Sequence, residues 1–363
     1  MYKMNRMHLF VLCLGMIFLF SCKDDDEKIR AELPELEVNG ISMSGCVGLY
    51  DAVTFNAGGT KYIGLGWEDF SGNNLYFYKY SPMSREWQAI EQLYPGSPRR
   101  DAIAFVIGDK AYVGLGRSMI GDRDSKVFDD FFVYDTLTRE WEKLSFQFPG
   151  KARWGAVAFT IGGKGYVGTG VSKPGVPGEG DYLADFYEFD PQTGWKQISN
   201  IYYPRYGATA FVADGYGYVC FGNLYGGLSN QDIQRLDPVS GRWSGQPVCY
   251  EDGETKQIVG RAGAQSFVLN KDGKDFAYVF GVGSVPVANE DELESNSTGE
   301  SGKERSVYVW GYNPQKNVWK REAYSVENYK SFVAYYAFSA GGQGYIMGSS
   351  GGTFEASVFR VKN

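Results

Sequence analysis

Four arginines occupy matching positions in this chain. Arg99, Arg153, Arg205 and Arg261 each stand six residues before a phenylalanine that closes a short apolar run. A guanidinium is suited to a carboxylate or phosphate, because its planar fork donates paired hydrogen bonds and keeps its charge at every physiological pH. Aromatic residues accompany the set: Trp154 follows Arg153, Tyr206 follows Arg205, and Tyr50 holds the same place in the first unit. Charge beside aromatic faces is what an anionic sugar requires. Two roles stay open. The arginines can bind a ligand, or they can hydrogen-bond carbonyls within the fold. The aromatic side chains can likewise face a ligand or point into the packing.

The stretch RWGAVAFTIGGKGYVGTG, residues 153–170, offers a different chemistry, because glycine-rich loops with a lysine can cradle phosphate. It lacks the Gly-x4-Gly-Lys-Ser/Thr frame of a nucleotide loop. It also recurs six times in variant form, which marks it as architecture. Histidine chemistry is excluded more firmly. The only histidine, His8, lies in the leader. A Ser-His-Asp triad, a Cys-His pair and histidine-ligated zinc or copper are therefore ruled out once the leader is removed. The acidic insertions near 121–130 and 284–305 lack the ligand spacing of a calcium loop, so the site reading includes no metal and no cofactor. A net charge of −7 and the lack of a basic patch argue against nucleic acid.

The elements that carry these residues repeat. Six apolar runs end at Phe55, Phe105, Phe159, Phe211, Phe267 and Phe338. A tyrosine follows seven residues later in five of them, and eleven later, at Tyr278, in the fifth unit, where KDGKD is expected to lengthen the turn. A second run then closes on glycine (YIGLG, YVGLG, YVGTG, YVCFG). A variable loop, a third run and a turn such as DPQTGW or DPVSGRW lead to Trp87, Trp141, Trp195, Trp243 and Trp319. Each Trp opens a fourth strand and is expected to pack against the next unit.

Four strands in roughly fifty residues is the kelch spacing. From about residue 47 onward the sequence resembles the kelch-repeat β-propellers, except that the usual Gly-Gly after the second strand is Gly-x-Gly or a single glycine. The expected fold is all-β, a six-bladed propeller of four-stranded antiparallel blades. Only five Trp-led fourth strands exist, and the chain ends in the third strand of unit six. An N-terminal strand within 33–44, LPELEVNGISMS, is expected to close the ring and cover that edge. The long connections, about 117–128, 171–184, 223–230 and 284–305, all fall between strands two and three and share one face with the arginines. Function is expected there, on the face that carries the variable loops.

Lys3 and Arg6, the apolar run to Phe20 and the sequence LFSC resemble a bacterial lipoprotein signal that ends at Cys22. The acidic KDDDE that follows resembles the export signal of Bacteroidetes surface lipoproteins. Residues 1–21 are thus read as signal peptide, 22–32 as a lipidated acidic linker and 33–363 as one propeller. The expected location is the outer membrane, exposed at the cell surface, with membrane contact only through the Cys22 lipid and with the propeller monomeric. Cys46, Cys220 and Cys249 remain, too few and too irregular for a disulfide framework, and Cys220 reads as a buried thiol.

Two functions fit. One is a binding module for a glycan, an anionic small molecule or an envelope protein, using Arg99, Arg153, Arg205, Arg261, Tyr50, Trp154 and Tyr206. The other rests on resemblance to kelch-type sialic acid mutarotases, whose chemistry needs an acid or base and an arginine for the sugar carboxylate, and no histidine. The resemblance matches no glutamate here to a catalytic role.

Overall fold

The computed structural model describes residues 28–45, 49–68, 72–120, 123–175, 178–254, 256–281, 283–286, 308–325, 334–350 and 353–362. Cys22, Cys46 and the segment read as a signal peptide lie outside them.

The repeating phenylalanine and tyrosine face each other across one hairpin. Register pairs Phe55 with Tyr62, Phe105 with Tyr112, Phe159 with Tyr166, Phe211 with Tyr218, Phe267 with Tyr278 and Phe338 with Tyr345. All six pairs stack, with centroids 4.8–5.5 Å apart. Direct cross-strand aromatic pairs are strong register determinants. The turn beneath them holds two residues in the left-handed region, such as Gly162 and Gly163 at φ 57° and 77°, which matches the twist of the flanking strands. The GGKG of the glycine-rich stretch is therefore a hairpin turn. In the fifth unit the turn is not lengthened: Asp272 and Gly273 still form a two-residue turn, and the strands Gln265–Lys271 and Lys274–Phe280 are longer instead.

Four strands assemble in order in each of six blades. Blades one to four begin at Val53–Ala57, Ile103–Ile107, Val157–Ile161 and Thr209–Ala213; blades five and six begin at Gln265–Lys271 and Ala334–Ala340. In blade six the outer strand is Leu36–Met43, paired antiparallel with Thr353–Val361 from Leu36 opposite Val361 to Met43 opposite Phe354. The N-terminal strand thus closes the ring, as expected. Leu36 and Met43 are buried by it. Blade five gains a short fifth strand, Cys249–Tyr250, parallel to Val318–Ser325.

Residues 29–32 are docked on the propeller. Ala31 is fully buried, its N–H donates to Glu251, and its carbonyl accepts from Asn313 Nδ2 at 2.7 Å. Glu32 pairs with Lys316, and Arg30 with Glu251.

The core lies between blades. Trp141 of blade two packs on Phe77 and Tyr94 of blade one; Trp195 of blade three packs on Phe105 and Phe131 of blade two; Trp243 of blade four packs on Phe186 of blade three. Each Trp thus covers the preceding unit, not the next, because strand alternation places it on the blade face that meets that unit. Nearer the axis, hydroxyls bind adjacent blades: Thr160 Oγ1 donates to the Val106 carbonyl at 2.8 Å, and Ser339 Oγ to that of Val268 at 2.7 Å.

Candidate functional site

Three of the four aligned arginines form one clamp, repeated in blades two, three and four. Arg99, Arg153 and Arg205 are almost fully buried. Each Nε donates to the carbonyl two residues earlier, in Ser97, Lys151 and Tyr203, at 2.9–3.1 Å. Each Nη1 donates to a carbonyl sixteen residues later, in Leu115, Thr169 and Phe221, at 3.1–3.3 Å. The fork then meets the acid that opens strand three: Asp130, Asp185 or Asp232. In blade three both bonds are short, 2.6 and 2.8 Å. Burial pushes the Asp185 carboxyl up, but the Arg153 hydrogen bonds and charge outweigh it and hold the group below the ordinary carboxylate range.

The clamp explains the Gly-x-Gly departure. Leu115, Thr169 and Phe221 are the middle residues, at φ 57–62°. That left-handed conformation costs a non-glycine residue roughly 1–2 kcal/mol. The arginine holds its carbonyl in place. The next glycine answers a different need: at Gly170, φ 98°, a Cβ would stand 2.7 Å from the Trp154 carbonyl. Gly170 also donates its N–H to the Arg205 carbonyl at 2.7 Å, which ties blade three to blade four. Blade one has Leu49 where blades two to five have arginine, and there buried Asn74 Nδ2 donates to the Leu65 carbonyl at 3.2 Å.

Above the clamps lies the loop-bearing mouth of the ring. The residue after each clamp arginine pairs with the residue after the glycine: Arg100 with Arg117, Trp154 with Val171, Tyr206 with Asn223. These bridges fix Arg117, Trp154 and Tyr206 on rigid backbone. Arg117 Nε donates to Asp101 Oδ2 at 2.6 Å, and its guanidinium lies over the Trp154 indole, 3.7 Å from the centroid. Trp154 meets Tyr206 edge-on at 5.2 Å; Tyr206 meets Tyr182 at 5.8 Å; Tyr182 meets Tyr225 at 5.9 Å. On the other side, Arg100 pairs with Asp51 at 3.3 Å. Asp101 is deeply set. Burial first, and the Asp51 charge second, push its carboxyl up to about 6 against the pull of Arg117 and Arg100. A carboxyl titrating there can give or take a proton near neutral pH. Among the described residues, no group of three or more metal-ligating side chains gathers.

A family model described as the KLHDC2/KLHL20/DRC7 Kelch-repeats domain matches residues 52–283. The chain belongs to the kelch-repeat family. Curated relatives share parts of it. The N-acetylneuraminate epimerase of Yersinia enterocolitica is 26% identical over 186 residues, which is 50% of this chain and 41% of that protein. The Vibrio cholerae N-acetylneuraminate epimerase is 33% identical over 100 residues, 27% of this chain and 25% of that one. The N-acetylneuraminate epimerase 1 of Escherichia coli O6:H1 is 36% identical over 88 residues, 24% of this chain and 22% of that one. These matches span less than half the length of each relative. The solved structure of YjhT superposes with a TM-score of 0.64 at 18% identity, over 88% of this chain and 97% of that one, and so shares the fold.

In this kelch propeller the expected ligand residues part ways. The forks of Arg99, Arg153 and Arg205 are filled by their own aspartates, so they brace the mouth from below. Trp154 and Tyr206 meet at the mouth, but Trp154 is buried beneath Arg117 and only Tyr206 is partly open. Tyr50 is half-buried and pairs with Trp67 on the blade-one side. Arg261 differs from its counterparts. It is exposed, and among the described residues no ion pair or hydrogen bond engages its side chain. Register explains why: the position that holds the clamp aspartate elsewhere is Tyr308 in blade five, four residues before Tyr312, the partner of Ala277. Arg261 adjoins Ala262, whose N–H donates to Asn223, the bridge partner of Tyr206. Asp51, Asp101, Arg117, Tyr182 and Tyr225 were missed. Asp51 and Asp101 did carry a signal, standing four residues before Phe55 and Phe105 where later units have Gly155, Gly207 and Gly263, and Arg117 follows Gly116 at a repeated place; Tyr182 and Tyr225 sit in the variable loops. The clamp acids did carry a signal. Asp130, Asp185 and Asp232 occur in the same three units as their arginines, and unit one lacks both members.

Proposed function

We propose that this kelch propeller binds an acidic sugar of the N-acetylneuraminate class at the loop-bearing mouth of its ring. The observation that carries the reading is the contiguous arc of Tyr206, Tyr182 and Tyr225, seated on the buried Trp154 and flanked by the exposed Arg261 near Tyr206. Apolar sugar faces stack on such rings, and Arg261 offers the guanidinium fork for the sugar carboxylate. The name shared by the curated relatives supports the ligand class. Titration of N-acetylneuraminate by calorimetry tests it: the wild type binds saturably, and Arg261→Ala weakens binding at least tenfold.

One observation favours a second reading, catalysis of anomeric exchange. Asp101 combines a carboxyl titrating near 6 with a position 2.6 Å from Arg117. Such a group can relay the proton that opens and recloses a sugar ring. Anomer exchange followed by NMR separates the readings. A rate above the uncatalysed one that is lost in Asp101→Asn supports catalysis, and an unchanged rate leaves a binding module.

We further propose that Cys22 is lipidated and anchors the propeller at the outer membrane surface, on the support of the LFSC and KDDDE sequences. Mass spectrometry of the mature N-terminus and surface proteolysis of whole cells test this. A soluble product from Cys22→Ala is expected.

A further inference from the structure

The opposite face carries a second, unrelated feature at the seam where the ring closes. A cleft of about 370 Å³ lies between blades six and one. It is built from both ends of the chain: Asn39 and Ile41 on the closing strand, Lys61 and Arg85 from blade one, Gln343 and Arg360 from blade six. Its lining holds three cations and no carboxylate. Arg85 and Arg360 stand exposed at the rim. Lys61 is 6% exposed and sits 4.3 Å from the Phe338 ring centroid. No acid or hydrogen-bond acceptor engages its ammonium among the described residues. A buried charge without a counter-ion is costly, and an anionic ligand would offset that cost.

We propose that this cleft is a second binding site, for a small multivalent oxyanion carrying carboxylate or phosphate groups, and that its occupant clamps the ring seam. Lys61 supplies the charge at the floor, and Arg85 and Arg360 supply forks at the rim. Because the lining joins the closing strand to blades one and six, a bound anion stabilises the closed ring by mass action. Burial alone lowers the Lys61 ammonium to about 7. The other titratable groups that line the cleft are Tyr80 and Tyr345, both raised chiefly by burial, and the two arginines. Among the lining groups only Lys61 changes charge near neutrality, gaining its positive charge as pH falls through about 7.

Thermal unfolding of the full propeller tests this, with citrate and inorganic phosphate as probes against sodium chloride of equal ionic strength. The wild type is expected to gain a few degrees in Tm with either probe at pH 6, where Lys61 is charged. Citrate acting alone assigns the site to polycarboxylates, and phosphate acting alone assigns it to phosphates. Lys61→Met removes the buried charge without leaving a void, so it folds, and it is expected to lose the shift. Arg360→Gln, at the exposed rim, is expected to weaken the effect several-fold. No shift beyond the chloride control, or an equal shift in Lys61→Met, overturns the proposal.

Discussion

Arg153 and Asp185 face each other fork to fork, with N–O distances of 2.6 and 2.8 Å, and the arginine side chain is fully buried. This pair belongs to the framework. Arg153→Ala leaves the Asp185 carboxylate half-buried without its partner and frees the Thr169 carbonyl. The expected cost is about 3–5 kcal/mol, read from urea unfolding. Arg153→Ala with Asp185→Ala should cost less than the sum of the singles, since the second change removes the stranded charge.

The ring closure makes a separate prediction. Leu36 is 3% exposed in the seam between blades five and six. Leu36→Ala should destabilise by about 2–5 kcal/mol. Deletion of 33–44 removes the whole outer strand of blade six and exposes a sheet edge, so cooperative unfolding should be lost and the product should aggregate. A truncated protein that melts at the wild-type temperature would contradict the closure.

Proton linkage at the mouth has a definite sign. The Asp101 carboxyl is raised to about 6 in the folded state, above its unfolded value, so the fold favours the protonated form. As pH falls from 7 through 6, Asp101 loses its charge, and an anionic ligand nearby meets less repulsion. Binding should therefore tighten over that interval. Asp101→Asn should flatten the dependence. A profile in the variant as steep as in the wild type would place the titrating group elsewhere.

Lys61 predicts a stability change of the opposite chemical kind. Its folded value, about 7, lies below the ordinary lysine range, so the fold favours the neutral amine. Stability contributed by this group is therefore present at high pH. It declines as pH falls from the ordinary lysine range to about 7, and is constant below that. Lys61→Met should stabilise the anion-free protein, most clearly at pH 7 and below, in thermal melts across pH.

Most of the architecture is legible in the sequence, because it is carried by residues that repeat. Phe159 and Tyr166 recur at fixed spacing since they stack across one hairpin, and Trp195 recurs since each blade needs an apolar cover. The direction of that cover was not legible, because alternation shows which residues share a blade face but not which neighbouring blade that face meets. The site was half legible. Alignment found Arg153 and Arg205, but only the facing Asp185 and Asp232 show that their forks are filled. Asp101 and Arg117 hold repeat-aligned places, but their residue types do not recur there in the later blades, and Tyr182 sits in a variable loop, so only the fold brings them beside Trp154 and Tyr206.

The central claim is that the mouth, and not the buried clamps, recognises an acidic sugar. Calorimetric titration of N-acetylneuraminate into the wild type, Arg261→Ala and Tyr206→Ala tests it most directly, with circular dichroism to confirm that each variant is folded. Saturable binding by the wild type is expected, with each variant at least tenfold weaker and its Tm unchanged within a few degrees, as about 1.5–3 kcal/mol for a charged hydrogen bond implies. No binding by the wild type, or equal affinity in all three proteins, would contradict the account.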